Sequence, residues 1–195
     1  MAEITLPQFK LAQASFGLRR ADTALQLMNG REVITEFAQG IWIAQLSLVA
    51  MRKDLAGAWT GPLSRLTRIS NYFRAGPPGY QGAAYNATTL QVNGAGQVGI
   101  QLNLKGAQNN TLILRAGEYF EVNGELKIVV QDCTSNASGL ATVQFEPPLR
   151  AVPSDSANLN TQTPACKWRL ARPENVWSLQ PKMFHAIRLD VIEAI

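Results

Sequence analysis

From Thr89 onward the chain is a string of short apolar and polar alternations cut by turn residues, and this pattern constrains the fold more than any other feature. The runs are TTLQV, VGIQLNL, TLILR, YFEV, LKIVV and ATVQFEP. A period of two sends successive side chains to opposite faces of a strand, and each run is too short for a helix. Asn123-Gly124, between YFEV and ELKIVV, is the dipeptide that accepts positive φ at both central turn positions, so it predicts a hairpin. Ser135 to Gly139 (SNASG) predicts a similar join between LKIVVQD and LATVQF. Residues 83–160 therefore predict a small all-β unit, either barrel or sandwich.

Inside this region VNGAGQVG matches the G-x-G-x-x-G spacing of dinucleotide enzymes through Gly94, Gly96 and Gly99. Such glycines cradle a pyrophosphate only where they open a helix whose N–H groups face it. The next residues are IQLNLKG, where Ile100, Leu102 and Leu104 alternate with Gln101, Asn103 and Lys105. That is a strand, so the glycines predict a turn at Asn93-Gly94 and no cofactor.

At 195 residues the chain can hold one ordinary domain or two small ones. Its most apolar run, Ile41 to Met51, contains Gln45 and Ser47 and is too short to cross a bilayer, so no membrane insertion is expected. Glu3 and Pro7 stand where a secretion signal would need a basic start and an apolar stretch, so none is expected. The Asn86, Asn109 and Asn136 glycosylation triplets are then read as chance. Cys133, Cys166 and His185 are too few for a four-ligand Cys/His zinc site, and the spacing leaves open whether the thiols pair. Counting Lys and Arg against Asp and Glu, residues 1–75 hold nine against five, residues 76–165 four against six, and residues 166–195 five against three. Basic ends flank an acidic middle.

Ahead of the β-rich region, residues 33–49 predict two strands joined at Gln39-Gly40, the second turning Trp42, Ala44, Leu46 and Leu48 to one side. A helix follows, capped by Asp54, with Leu55, Trp59, Leu63, Leu66, Ile69 and Phe73 on its apolar face. Arg65 and Arg68 are left to solvent, and Gly61-Pro62 predicts a kink or a second helix beginning near Pro62. Ala75 to Gly82 (AGPPGYQG) marks a boundary. After the β-rich unit, Pro147 to Ala165 predicts an ordered loop that returns the chain to its first part. WRLA and a turn near Arg172-Pro173 follow. The closing run predicts a strand, with Ile187, Leu189 and Val191 opposing Arg188 and Asp190; a helix with Phe184, Ile187, Val191 and Ile195 on one face is the alternative. An apolar final strand needs a partner, and the first part of the chain supplies it. The expected fold is mainly β with one or two helices: a split β-barrel from residues 1–82 and 161–195, carrying the inserted small barrel or sandwich at 83–160.

Catalytic chemistry is not legible. His185 with Cys133 or Cys166 and Asp190 could supply the atoms of a nucleophilic site, but no spacing selects them. Glu118, Glu121 and Glu125 are read as solvent-facing charges on a hairpin in preference to a glycosidase pair. Tyr119, Phe120 and Phe145 are assigned to a core, because a net acidic unit lacks the basic groove that nucleic acid requires. No catalytic, cofactor-binding or metal-binding residue is expected, and no enzyme.

The order VNGAGQVG, LRAGEYFEVNGELKIVVQDCTSNASGLATVQFEPPLRAVPSDSA, WRLA and a final apolar strand resembles distal tail or baseplate-type proteins of long-tailed, siphovirus-like bacteriophages. The likeness covers much of residues 40–195, most specifically LRAGEYFEVNGELKIV and FEPPLRAVPSDSA, and MRK…LSRLTRI also suits it. Gly61-Pro62 and GPPG depart from the uninterrupted helix and Gly-rich stretch common in such proteins.

The resemblance implies a belt domain that forms a ring, commonly a hexamer, at the virion tail tip after synthesis in the host cytoplasm. Its partners would be further copies of itself, the tail tube protein, and the baseplate hub with other tail-tip proteins. A ring needs two different patches per subunit. Arg52, Lys53, Arg65 and Arg68 are polar contact candidates on the helix. The alternative function is a host-surface glycan-binding module of the tail, using exposed Tyr80, Tyr85 or Trp168.

Overall fold

The computed structural model describes residues 2–20, 23–35, 40–85, 90–172, 174, 177–180 and 184–195. In chain order the elements begin with β1 (Ala2–Glu3), β2 (Leu11–Arg19), β3 (Thr23–Gln26), β4 (Glu32–Thr35), β5 (Ile41–Leu48), β6 (Met51–Arg52), α1 (Lys53–Leu66) and β7 (Asn71–Ala75). Next come β8 (Gln91–Val92), β9 (Gln101–Lys105), β10 (Leu112–Leu114), β11 (Tyr119–Val122), β12 (Glu125–Val129), β13 (Cys133–Thr134) and β14 (Ala141–Glu146). The chain closes with β15 (Cys166–Leu170), β16 (Trp177–Gln180) and β17 (Phe184–Glu193). The protein is mainly β, with a curled half-barrel sheet and, among the described residues, one helix.

Two compact units result: Met1–Gly17, Trp42–Pro78 and Cys166–Ile195 form the first, Leu18–Ile41 and Gly79–Ala165 the second. One break falls within the proline-glycine boundary seen in the sequence. Residues 18–41 depart from the expectation that 1–82 belongs whole to the outer piece. Their grouping has a physical reason in two clamps inside the second unit. Arg20 pairs with Glu146 at 2.9 Å, and the Arg150 guanidinium donates to the Gly40 carbonyl at 2.8 Å.

In the first unit the sheet order is β1-β7-β15-β17-β5-β2, with β6 and β16 also pairing along β17. The closing run is a strand because its alternation matches its surroundings. Leu189 lies opposite Leu46 and Val191 opposite Ala44, so the buried residues of β17 join Trp42 and Leu48 on one face. Ile195, which the helical alternative would bury, is exposed. Phe16 stacks on Trp42 at 4.7 Å between ring centres and meets Trp168 edge-on at 6.0 Å.

Helix α1 buries Ala56, Trp59, Leu63 and Leu66, a spacing of three, four and three. It runs as one element through Gly61-Pro62. Burial of Trp59 and Leu63 on either side offsets a proline cost of about 3 kcal/mol. Three expectations are corrected here. Asp54 lies inside the first turn, while the capping position is Arg52, which makes no side-chain cap bond. Leu55 and Ile69 face solvent. Phe73 is buried on β7, beyond the helix end.

The second unit has a five-stranded sheet, β11-β12-β14-β9-β8, and two small ladders, β10-β13 and β3-β4. Phe120 and Phe145 meet edge-on at 5.4 Å in its core, among Leu102, Leu104, Val122 and Val143. Asn123 (φ 53) and Gly124 (φ 79) form the expected two-residue turn between the paired Val122 and Glu125. LKIVV and LATVQF do pair, through Val129 and Phe145, but the chain first leaves the sheet to pair β13 with β10.

Two turn expectations are revised. Beyond the β8-β9 ladder the Asn93 N–H still donates to the Asn103 carbonyl, and of Asn93-Gly94 only the glycine has positive φ. The reversal is thus a wide glycine loop rather than a two-residue turn. Gln97 fills it, donating to the Asn93 and Gly94 carbonyls and accepting from the Asn103 N–H at 2.6 Å. Farther back, β4 pairs with β3 rather than with β5. The expected joint at Gln39 lies outside the described residues.

The segment expected as a returning loop does more than return. Ser156 and Leu159 N–H groups donate to the Val92 and Leu90 carbonyls, beside β8. Asn160 and Glu121 exchange two backbone bonds at β11. One short stretch therefore satisfies both edge strands of the five-stranded sheet.

Candidate interaction surfaces

The first surface is the edge of the first unit's sheet. β2 ends the strand order with β5 as its neighbour, and among the described residues no strand lies on its other side. Nine residues long and uncharged until Arg19, it exposes Ala12, Gln13, Ala14 and Ser15. It has no proline and no inward charge, the usual devices that prevent a strand from recruiting another.

The second surface is the β3-β4 hairpin of the second unit. Its strands pair Leu25 with Val33, and both are exposed, as are Leu27 and Met28 in the loop. Gly30 (φ 78) and the bond from the Arg31 N–H to Asn29 Oδ1 close that loop. Sequence reading missed this hairpin, although Asn29-Gly30 carries the same turn signal as Asn123-Gly124.

Residues singled out in the sequence prove to be dispersed. Gly94, Gly96 and Gly99 lie in the glycine loop, and Gly99 leads to β9 rather than to a helix. His185 sits on β17 in register with Met51 and Leu179. Cys133 and Cys166 are both buried, and they do not form a disulfide with each other. Burial pushes the Cys133 thiol up to about 11, so it is protonated at neutral pH.

The three glutamates of the hairpin region serve the backbone. Glu118 accepts from the N–H groups of Arg115 and Ala84 at 2.9 and 3.0 Å. Glu121 is buried and accepts from Ala165 N–H. Glu125 is also buried; it takes the Lys127 ammonium at 2.7 Å and the N–H groups of Arg150 and Ala151. The solvent-facing reading is therefore corrected for Glu121 and Glu125. Lys127 is fully buried and donates also to the Pro148 carbonyl, so this ion pair holds the FEPPLRA exit. Burial alone would raise the Glu125 pKa, but Lys127 and the two N–H donors outweigh it and leave the carboxyl below its ordinary range.

Of the aromatic residues proposed to meet a glycan, Trp168 is buried and donates from Nε1 to the Ala75 carbonyl, which corrects the expectation of exposure. Tyr80 is half-buried, with its hydroxyl donating to the Tyr119 carbonyl. Tyr85 lines an open cavity. On the helix, Arg52, Arg65 and Arg68 are exposed; the Lys53 side chain lies outside the described set.

Among the described residues no group of three or more His, Cys, Asp or Glu is arranged to hold a metal. No described helix is long and apolar enough to cross a membrane. No protein-family model matches the chain, and no curated protein matches it either.

Proposed function

We propose that this protein is a structural component of the tail tip of a long-tailed bacteriophage, forming a ring that joins the tail tube to the baseplate hub. The observation that carries the reading is the open β2 edge on a curled half-barrel sheet. A ring is closed by heterologous contacts, in which one patch of each copy meets a different patch of the next. The β2 edge offers backbone donors and acceptors, and the exposed β3-β4 hairpin offers apolar side chains, so the chain carries two dissimilar patches. The motif order from VNGAGQVG to FEPPLRAVPSDSA supplies the phage-tail part of the reading.

Electron microscopy of tails labelled on this protein tests the location. Label at the tip is expected; label along the tube or at the head would refute the assignment. Sedimentation of the purified chain with tail-tube protein tests the ring. Ala14→Lys, on the exposed edge, is expected to prevent assembly while leaving the melting temperature of the single chain unchanged.

A further inference from the structure

The outward face of the first unit's sheet carries a block of positive charge on β7, β15 and β17. We propose that this face binds the phosphate backbone of a nucleic-acid duplex without regard to base sequence. This goes beyond the tail-tip reading and does not rest on it. The acidic balance that speaks against nucleic acid in the second unit is reversed here, since the first unit holds eleven Lys and Arg against five Asp and Glu.

Strand alternation builds the block. β15 buries Cys166, Trp168 and Leu170 and turns Lys167 and Arg169 the opposite way. On β7 Phe73 is buried, so Tyr72 and Arg74 share that opposite face, with Arg74 directly across from Lys167. In the next ladder Arg169 faces Ile192, which places Arg188 and Asp190 of β17 on the same side. Arg188 and Asp190 lie 3.7 Å apart, so their charges offset. Glu3 adds a carboxylate at the β1 edge, opposite Tyr72. On these four strands the face therefore holds four cations against two carboxylates, and among the described residues neither Lys167 nor Arg169 has a carboxylate partner.

The spacing fits a chain of phosphates. Lys167 and Arg169 are two positions apart on an extended strand, about 6.7 Å, comparable to the step between successive phosphates of one nucleic-acid strand. Guanidinium forks and ammonium groups are the side chains that take phosphate oxygens. Like charges directly opposite in a ladder repel, so Arg74 beside Lys167 is a cost to the free sheet that a bound anion relieves. The Lys167 ammonium lies over the Tyr72 ring, 5.4 Å from its centre, so a base finds no open ring there to stack on. A duplex presents phosphates outward and keeps its bases stacked inside, and therefore suits this face better than a single strand.

Fluorescence anisotropy of the full chain with a short labelled DNA duplex tests this, over a salt range of about 50 to 200 mM. Binding is expected at the low end, equal for two unrelated sequences, and weaker by about twentyfold at the high end, as two to three phosphate contacts require. Lys167→Gln combined with Arg169→Gln should make the logarithmic salt slope shallower by about 2. If that variant fails to fold, Lys167→Gln alone decides, with a slope shallower by about 1. Lys10→Gln combined with Arg115→Gln removes two exposed charges elsewhere and should leave the slope as it is. No binding at low salt, a slope unaltered by the Lys167 and Arg169 changes, equal shallowing in both double variants, or tighter binding of single-stranded DNA than of the duplex would overturn the proposal. So would displacement of the duplex by polyglutamate at a lower concentration of charge than by unlabelled duplex, which would mark an acidic protein partner. These measurements use the isolated chain, so their failure is separable from a failure of the tail-tip location.

Discussion

The sheet of the first unit ends on an open edge, whereas the five-stranded sheet of the second has both edges satisfied by one crossing segment. Their charges differ in the same sense. The first unit holds eleven Lys and Arg against five Asp and Glu, the second seven against nine. A sheet whose backbone groups are all satisfied gains stability and loses the means to recruit a strand; an open one keeps that means. The contrast teaches that one β architecture can close both edges of a sheet in one unit and leave an edge open in the other.

Removing the indole at the centre of the first unit is the strongest way to break the comparison. Trp168→Ala should cost about 3–5 kcal/mol, because a buried ring and its bond to Ala75 are lost together. Hydrogen exchange should then show protection falling in β7, β15 and β17 but persisting in β11, β12 and β14. Equal loss in both sets would mean that the two units do not unfold separately.

Lys127→Met makes the reciprocal test at about 3 kcal/mol, since it leaves Glu125 buried with its charge partner removed. Denaturant titration followed by exchange should locate that loss in the second unit. The same pair predicts a pH dependence. The folded pKa of Glu125 lies below its unfolded value, so its contribution is complete above the ordinary glutamate range and disappears as pH falls through the depressed value. Acid melting of wild type should show this decline, and Glu125→Gln should flatten it.

Glycine substitutions sharpen the contrast between packed and open backbone within the second unit. A Cβ on Gly139 (φ +70) would run into the Ala107 carbonyl, so Gly139→Ala should lower stability by about 2 kcal/mol or more. Gly96 (φ +81) has open space around it, and Gly96→Ala should cost only about 1 kcal/mol, from conformation alone. Thermal melting of both variants checks the ranking. The smallest effect is a gain. Arg52→Asp places an acceptor at the uncapped helix start and should stabilise the first unit by about 1 kcal/mol, as read from its unfolding transition.

Local pattern revealed much of this fold. Alternation in Gln101–Lys105 and Ala141–Glu146 marked half-buried strands, and Asn123-Gly124 marked a hairpin that formed as expected. The helix was legible from Trp59, Leu63 and Leu66, but its ends were not, since Ile69 and Phe73 extend the same spacing beyond Leu66. Trp168 was misjudged because an aromatic residue on a short strand looks the same in sequence whether it faces solvent or core. The Tyr85 cavity was only half legible. The tyrosine was noticed, but Arg115 and Glu118 reach it from another part of the chain.

By itself the sequence determined the β class, the alternating faces and the tightest turn. Each of these follows from chemistry within a few neighbouring positions. Tertiary structure decided which strand pairs with which. It set β4 against β3, drew residues 156–160 across two sheet edges, buried the Glu125–Lys127 pair and left β2 open. Pairing depends on which backbone donors and acceptors meet in space, and residues far apart in the chain carry no local mark of that meeting.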